Sequence, residues 1–547
     1  MHFGSSRLLL AVATAICLAP FVGKAFHIDD TQFLWTAKQV LVRPWDFYGF
    51  GANWYGVETP MWAISSNPPL IGYLIAPVAW LTGFDEWALH GLFMLPAIAA
   101  VLGVHALAHR LSGQPGLATA VALSTPVFIV SATTLMADVP LLACWTWAVV
   151  LWMRGIDEGH RRCLVAAAAL VALAALTKYY GVALIPLLAA WTVMRSRRLI
   201  GSLAWLAIPI AILATYEVYT LALYQHGLLS ASMWLSEGSR GVSGRSALSR
   251  GVIGLAFTGG GLMTAAFYAP LLWPRRRLGL WLPVAAAVTV AIALRPGFLE
   301  GFIVLLREGV PWRVIGHLAV FVVAGVLVLA LVFVDLARRR DADAVLLALW
   351  TIGGFVFAAF VNSSINGRSI LVMTPAVAVL VVRALDARGI AGGTRTWTPV
   401  VAGLALALVL AGADAGLARD GRLAFERIRE RHGRAPTVWF QGHWGFQYYM
   451  EAWGARPVDG RRIALRPGDV MVVPENNANT FVLLGIPMRV LPPIEIPSAR
   501  WLTTMHRLAG AGFYSDFWGP LPFAVGPTPP ERYRVLVVQE RLPGPAR

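Results

Sequence analysis

The feature that most constrains this chain is a succession of about thirteen apolar runs between Leu8 and about Leu417, each within the length range that crosses a bilayer. They fall near 8–26, 87–108, 115–133, 138–154, 162–176, 180–194, 200–223, 250–273, 278–294, 312–336, 344–361, 368–386 and 397–416. A hydrocarbon core of roughly 30 Å takes about 20 helical residues, and a segment in lipid must satisfy its own backbone hydrogen bonds, so the runs are predicted as helices. Only 14% of the 547 residues are charged, against about 25% in an ordinary soluble domain. The expected fold is a polytopic all-α membrane unit over 1–417, followed by a smaller unit over 418–547.

The net charge of +16 does not indicate nucleic acid, because the basic residues sit in short clusters between apolar runs. These clusters are Arg154, Arg161 and Arg162; Arg195, Arg197 and Arg198; Arg275 to Arg277; Arg338 to Arg340; and Arg388 with Arg395. The positive-inside rule places them on the cytoplasmic side of an inner (plasma) membrane. Residues 27–86, the turns near Asp138 and Lys178, and the stretches 224–249, 295–311 and 362–367 then face outward, as does the C-terminal tail. The short N-terminus MHFGSSR is expected to open an uncleaved first helix, since the segment lacks a convincing A-x-A cleavage site and begins a series of spans. Cys17, Cys144 and Cys163 all lie in or beside apolar runs, which excludes a disulfide framework in the outer segments.

From about Ala418 the composition changes: charges rise between Arg419 and Arg434, and turn-separated strand and helix patterns follow. Strand-like runs occur at Thr437–Phe440, Asp469–Val473, Phe481–Leu484 and Tyr533–Val538, with a helix-like segment at Phe446–Trp453. The expectation is a small extracytoplasmic α/β domain without a phosphate loop or nucleophile motif.

The outward segments hold the candidate chemistry. Asp29 and Asp30 follow the first run directly, and carboxylates held at a bilayer edge are costly enough to suggest function. The loop 27–86 is aromatic, with Trp35, Trp45, Phe47, Tyr48, Trp54, Tyr55 and Trp62, as expected of short helices lying at headgroup level; Trp54 and Tyr55 are also suited to substrate contact. Asn67-Pro-Pro-Leu-Ile-Gly-Tyr73 fixes a loop through paired prolines. Asp138, in Ala137-Asp-Val-Pro, opens a helix as an ordinary first-turn acid would. Lys178, in Leu-Thr-Lys-Tyr-Tyr-Gly181, stands where a lysine can snorkel to the interface. Together they place two acidic sites and a cation on one face. A carboxylate there could deprotonate an acceptor hydroxyl while a cation stabilises a phosphate leaving group.

The order and context of these motifs resemble the C-type glycosyltransferases, in the group of the protein O-mannosyltransferases and the bacterial transferases that add aminoarabinose to lipid A. The resemblance is strong up to about Ile200 and holds beyond it in layout only. It implies that Asp29, in Asp-Asp-Thr-Gln-Phe-Leu-Trp, is the catalytic carboxylate with Asp30 beside it, that Asp138 is the second acidic motif, and that Lys178 belongs to the family's Leu-Thr-Lys turn. Asn67 stands where the family often has His or Lys before the prolines, with Tyr73 in the same motif. Asn366-Gly-Arg-Ser-Ile-Leu with Pro375 resembles the opening of a late span and makes Arg368 a phosphate-gripping guanidinium. The activity so implied is inverting transfer of a sugar from a polyprenyl-phosphate donor to a hydroxyl of a protein, lipid or glycan acceptor on the extracytoplasmic face. No cofactor is assigned, a divalent metal being the one the acidic motifs leave room for. The competing class is a transporter or lipid flippase, in which Asp29, Asp138 and Lys178 would line an ion or substrate path, although the chain shows no convincing repeat.

Overall fold

The computed structural model describes residues 2–540, except residue 66 and the stretches 197–198, 233–243, 300–301, 303–304, 306–310 and 498–500. Arg197 and Arg198 of the second arginine cluster, and much of the outward stretches 224–249 and 295–311, lie outside the described residues.

Each of the thirteen apolar runs is helical over most of its length. Thirteen straight spans, however, are not reproduced: among the described residues seven helices are long and apolar enough to cross a membrane, and a pair bent by 63° makes up to eight. The others are short or broken. Arg161–Thr177 has 17 residues, the run near 250–273 divides into three helices, and that near 368–386 divides at Val372 and Met373. The bent pair, Pro115–Leu123 and Pro126–Ala132, breaks where Pro126 cannot continue the ladder. The freed Ser124 carbonyl accepts from Thr264 Oγ1 at 2.7 Å, which satisfies it inside the bundle. This break aims the short second helix at residues 133–137.

Helices Ala247–Gly261 and Trp312–Arg339 meet through paired glycines. A Cβ on Gly259 would lie 1.9 Å from the Phe321 carbonyl oxygen, and one on Gly325 would lie 2.1 Å from that of Leu255. Such close backbone approach is how helices associate where lipid offers no hydrophobic contrast. At the arginine-rich end Arg110 and Arg195 both pair with Asp157, at 2.9 and 2.8 Å, and Arg383 bonds Asp335 at 2.8 Å.

The first outward loop forms helices Asp30–Val42, Met61–Ile64 and Leu70–Thr82 and a small hairpin, Gly51–Asn53 with Glu58–Pro60. The last long helix, Thr398–His432, runs unbroken through residue 417 and buries Ala424 and Ile428 in the core of the following unit. That unit carries a five-stranded mixed sheet in the order Arg456–Pro457, Val438–Phe440, Val470–Pro474, Glu531–Val538 and Met488–Ile496. Its first three strands are parallel, with helix Trp444–Trp453 as the crossover, and the last two pair antiparallel.

Phe481–Leu484 is not a strand, contrary to its apolar pattern. The Phe481 backbone N–H is taken by the Gln441 side chain at 2.8 Å, and its ring lies against the Gly56 loop tip; Met488–Ile496 supplies the edge strand instead. Nor does the tail merely dock on a surface. Its segment from Leu502 to Ala524 buries Met505, Phe513, Tyr514, Trp518, Leu521 and Phe523 in the main core of the membrane unit and so plugs one end of the bundle.

Candidate functional site

Four charged side chains from four separate elements converge at one end of the bundle. Arg368 Nη1 lies 2.8 Å from Asp29 Oδ2 and 3.9 Å from Asp138 Oδ2, and Lys178 Nζ lies 2.6 Å from Asp138 Oδ1. The order Asp29, Arg368, Asp138, Lys178 alternates in sign, so the formal charges cancel. The two ends of this row are the more accessible: Asp29 keeps 26% of its side chain exposed and Lys178 19%, whereas Asp138 keeps 5%.

Local sequence explains each position. Asp29 precedes helix Asp30–Val42, and the residue before it, Ile28, has φ +46°, a left-handed conformation that a β-branched residue adopts only when its surroundings compel it. The compulsion comes from Asp30. This fully buried carboxylate accepts the His27 N–H at 2.8 Å through one oxygen and the Leu135 N–H at 2.9 Å through the other. It thereby ties the turn bearing Asp29 to the turn that leads into Asp138. Burial pushes its pKa up to about 7, against the opposing pull of Lys24 and the two backbone donors. Asp30 thus lies behind the cluster and braces it.

Asp138 opens helix Asp138–Asp157, and Lys178 sits in extended conformation just past helix Arg161–Thr177. Arg368 lies in the short helix Gly367–Leu371, whose N-cap Asn366 accepts the Ser369 N–H at 2.8 Å. Its Nη1 also reaches Met136 Sδ at 2.9 Å, while its Nε is buried without a hydrogen-bond partner. A buried guanidinium N–H without a partner is a donor still to be satisfied.

The other sequence candidates lie around this core. Tyr55 is 54% exposed, yet its phenol is raised above the ordinary tyrosine value, first by surrounding protein and second by the charge of the Asp29 carboxylate. Asn67 acts through its backbone, its carbonyl accepting from Tyr48 Oη at 2.6 Å and Ser65 Oγ at 3.1 Å. Tyr73 bonds the Pro44 carbonyl and packs on Phe47, within a group of tyrosines that holds down residues 44–48. Trp54 is buried against Trp35 and His443, at the seam with the C-terminal unit rather than beside the charges.

Beside the cluster runs an apolar groove of about 690 Å³ between helices Leu70–Thr82, Glu86–Leu111, Asp138–Asp157 and Arg161–Thr177. Tyr73, Trp147 and Leu173 are among its walls, and Pro140 and Thr177 place its end next to Asp138 and Lys178. Among the described residues no group of three His, Cys, Asp or Glu side chains could hold a metal, and Asp29 and Asp138 are each paired with Arg368 or Lys178.

A second ion cluster lies behind the first and did not figure among the sequence candidates. Lys24 Nζ and Asp414 Oδ2 are 2.6 Å apart with both side chains fully buried, and Asp414 also accepts from Thr504 Oγ1 at 2.6 Å and Tyr514 Oη at 2.7 Å. The signal was available, because a single Lys and a single Asp standing in apolar runs are expected to have a partner.

Comparison with known proteins comes from three directions. Residues 66–219 match the family described as dolichyl-phosphate-mannose-protein mannosyltransferase, a stretch that holds Asn67, Tyr73, Asp138 and Lys178 but neither Asp29 nor Arg368. No curated protein matches the chain. Among solved structures the chain is similar to the oligosaccharyltransferase of Archaeoglobus fulgidus, at 12% identity and a TM-score of 0.47, covering 85% of this chain and 65% of that one. It is also similar to ArnT from Cupriavidus metallidurans bound to undecaprenyl phosphate, at 15% identity and a TM-score of 0.42, covering 86% and 93% respectively. A third is the arabinofuranosyltransferase AftD from Mycobacteria, at 14% identity and a TM-score of 0.41, covering 98% and 40%. The chain therefore spans 65% of the archaeal enzyme's length. The family match bears out the resemblance to membrane glycosyltransferases drawn from the Asn67, Asp138 and Lys178 motifs, and with it the expectation of an enzyme of that class.

Proposed function

We propose that the protein is an inverting glycosyltransferase of a multi-pass inner membrane, using a polyprenyl-phosphate sugar donor and a protein, lipid or glycan hydroxyl as acceptor. The observation that carries this reading is the alternating cluster Asp29, Arg368, Asp138 and Lys178 at the end of an apolar groove in the helical bundle. A groove without charges suits a polyprenyl chain, and a cationic end suits its phosphate.

Arriving donor phosphate competes with Asp29 for Arg368 and with Asp138 for Lys178. Drawing Arg368 toward phosphate leaves Asp29 free as an acceptor of protons, so donor binding itself would arm the base. The acceptor hydroxyl then loses its proton to Asp29 and attacks the anomeric carbon from the side opposite the phosphate. The carbon–oxygen bond to the lipid phosphate breaks, and the second negative charge that develops on phosphate is met by Arg368 and Lys178. Asp30 holds the turn, and Asn67, Tyr73 and Trp54 shape the surrounding loop, with Tyr55 at the acceptor side. In this reading the cluster of the membrane unit 1–417 and the unit 418–547 lie on the extracytoplasmic side, which the arginine clusters between the apolar runs support through the positive-inside rule.

The test supplies radiolabelled polyprenyl-phosphate sugars to purified protein. Transfer, or slow donor hydrolysis, is expected from the wild type and its loss from Asp29→Asn at unchanged membrane expression. Transfer retained in Asp29→Asn would remove the base assignment, and donor binding without any turnover in the wild type would favour a transporter.

A further inference from the structure

The plug segment of the C-terminal unit meets the site at Tyr514. The Arg368 guanidinium lies over the Tyr514 ring, 5.5 Å from its centroid, while its Nη1 is 2.8 Å from Asp29 Oδ2. The ring is itself fixed at its far end, where Tyr514 Oη donates to Asp414 Oδ2 at 2.7 Å. Asp414 cannot yield, because Lys24 holds the same oxygen at 2.6 Å and Thr504 Oγ1 the other at 2.6 Å, all sealed from water. The backbone on each side is locked as well. The Gly367 N–H donates to the Phe513 carbonyl at 2.7 Å, and a Cβ on Gly367 would lie 2.7 Å from the Phe513 ring, so only glycine lets the plug come this close to Arg368. The Ile365 N–H donates to Asp516 Oδ1, and the Asp516 N–H to the Ile365 carbonyl, both at 2.8 Å.

We propose that Tyr514 is a positioning residue for Arg368: the buried Lys24–Asp414 pair holds the Tyr514 ring, and the ring holds the guanidinium in place beside Asp29 and Asp138. Asp29 alone would draw Arg368 toward itself through Nη1, and a flexible arginine loses much of its reach when it must be ordered anew for each anion. An aromatic face attracts the guanidinium without using any N–H, so it steers the side chain while leaving the donors for phosphate. The C-terminal unit thereby contributes to anion binding at the membrane unit, across a sequence separation that no local motif spans. This inference rests on the reading of Arg368 as a phosphate contact.

The experiment measures binding of undecaprenyl monophosphate to the detergent-purified full chain, for the wild type, Tyr514→Leu, Tyr514→Phe, Arg368→Ala and the two double variants. Tyr514→Leu is expected to weaken binding about tenfold and Tyr514→Phe, which keeps the ring but frees it from Asp414, about threefold. In the Arg368→Ala background both effects should shrink to less than about twofold, since a residue acting through Arg368 has nothing left to position. Equal binding by wild type and both Tyr514 variants, or losses that persist undiminished without Arg368, would overturn the proposal while leaving the donor reading intact. Absence of binding by the wild type would overturn the donor reading and the proposal together. If Tyr514→Leu yields no folded protein, Tyr514→Phe decides, because it preserves buried volume and its melting temperature reports any general loss of structure.

Discussion

Two clusters of acid and base stand one behind the other at one end of the bundle, each pairing aspartate with a basic side chain and differing in access to water. In the front cluster Asp29 is paired with Arg368 but a quarter exposed, and Lys178 is one-fifth exposed. In the rear cluster Lys24 and Asp414 are both fully buried, and Asp414 accepts two further hydroxyl bonds. A sealed pair whose hydrogen-bonding capacity is filled cannot exchange partners and serves to fix helices and plug in register. A pair whose carboxylate is a quarter exposed can exchange one anion for another. Accessibility, more than charge, separates the group suited to chemistry from the group that holds it in place, and Tyr514 joins the two.

Substitutions that treat the clusters alike should produce opposite results. The largest expected effect is at Asp29: Asp29→Asn should cost transfer about 10²–10⁴-fold, as for loss of a general base, with the melting temperature in detergent nearly unchanged. Asp414→Leu should do the reverse, destabilising the fold by about 3–5 kcal/mol because Lys24 is left charged and buried, while Lys24→Met with Asp414→Leu recovers most of that loss. A single Asp414→Leu variant as stable as the wild type would erase the distinction between the clusters.

A smaller effect is expected where the C-terminal unit meets the first loop. His443 is buried; its Nδ1 bonds Gln447 Oε1 at 2.8 Å, and burial lowers its pKa from 6.5 to about 4. The unfolded chain takes up this proton near pH 6.5 and the folded chain only near pH 4, so the His443 contribution is present above 6.5 and is lost as pH falls through that window, by about 3 kcal/mol at about 1.4 kcal/mol per pH unit. Melting curves across that window should fall less steeply for His443→Gln than for the wild type, and parallel curves would place the acid sensitivity elsewhere. The smallest effect is at the same seam: Trp35→Phe removes the indole N–H that donates to Glu451 Oε2 at 3.0 Å and should cost about 1 kcal/mol in thermal or denaturant unfolding, without changing the transfer rate per folded molecule.

Much of the front cluster was legible because each member stands at a discontinuity of the hydropathy pattern. Asp29, Asp138 and Lys178 each adjoin an apolar run, and Arg368 opens one. Their roles were less legible. Asp29 and Asp30 are chemically identical neighbours, and only the direction of the turn shows that Asp30 spends both oxygens on the His27 and Leu135 N–H groups. Trp54 and Tyr55 are likewise adjacent aromatics, yet one is buried against His443 and the other is exposed and feels the charge of Asp29. Lys24 and Asp414 were visible as single charges in apolar runs, but 390 positions separate them and nothing local pairs them. Tyr514 carries no pattern at all, since a tyrosine in a loop rich in Gly and aromatics reads as surface.

By itself the sequence determined the class of solvent and hence the class of structure: long apolar runs in lipid have to close their own hydrogen bonds, so they are helices, and the arginine clusters set which ends share a face. It also determined where charge would be expensive, and so where to look. What only the tertiary structure decided is which charges meet, which stay wet, and that residues 502–524 leave their own unit to pack into the membrane bundle. The reason is that hydropathy is a property of one segment against its solvent, whereas an ion pair, a ring beneath a guanidinium and a sealed cavity are properties of two or more segments against each other. Their energies depend on distances of a few ångströms that no single segment encodes.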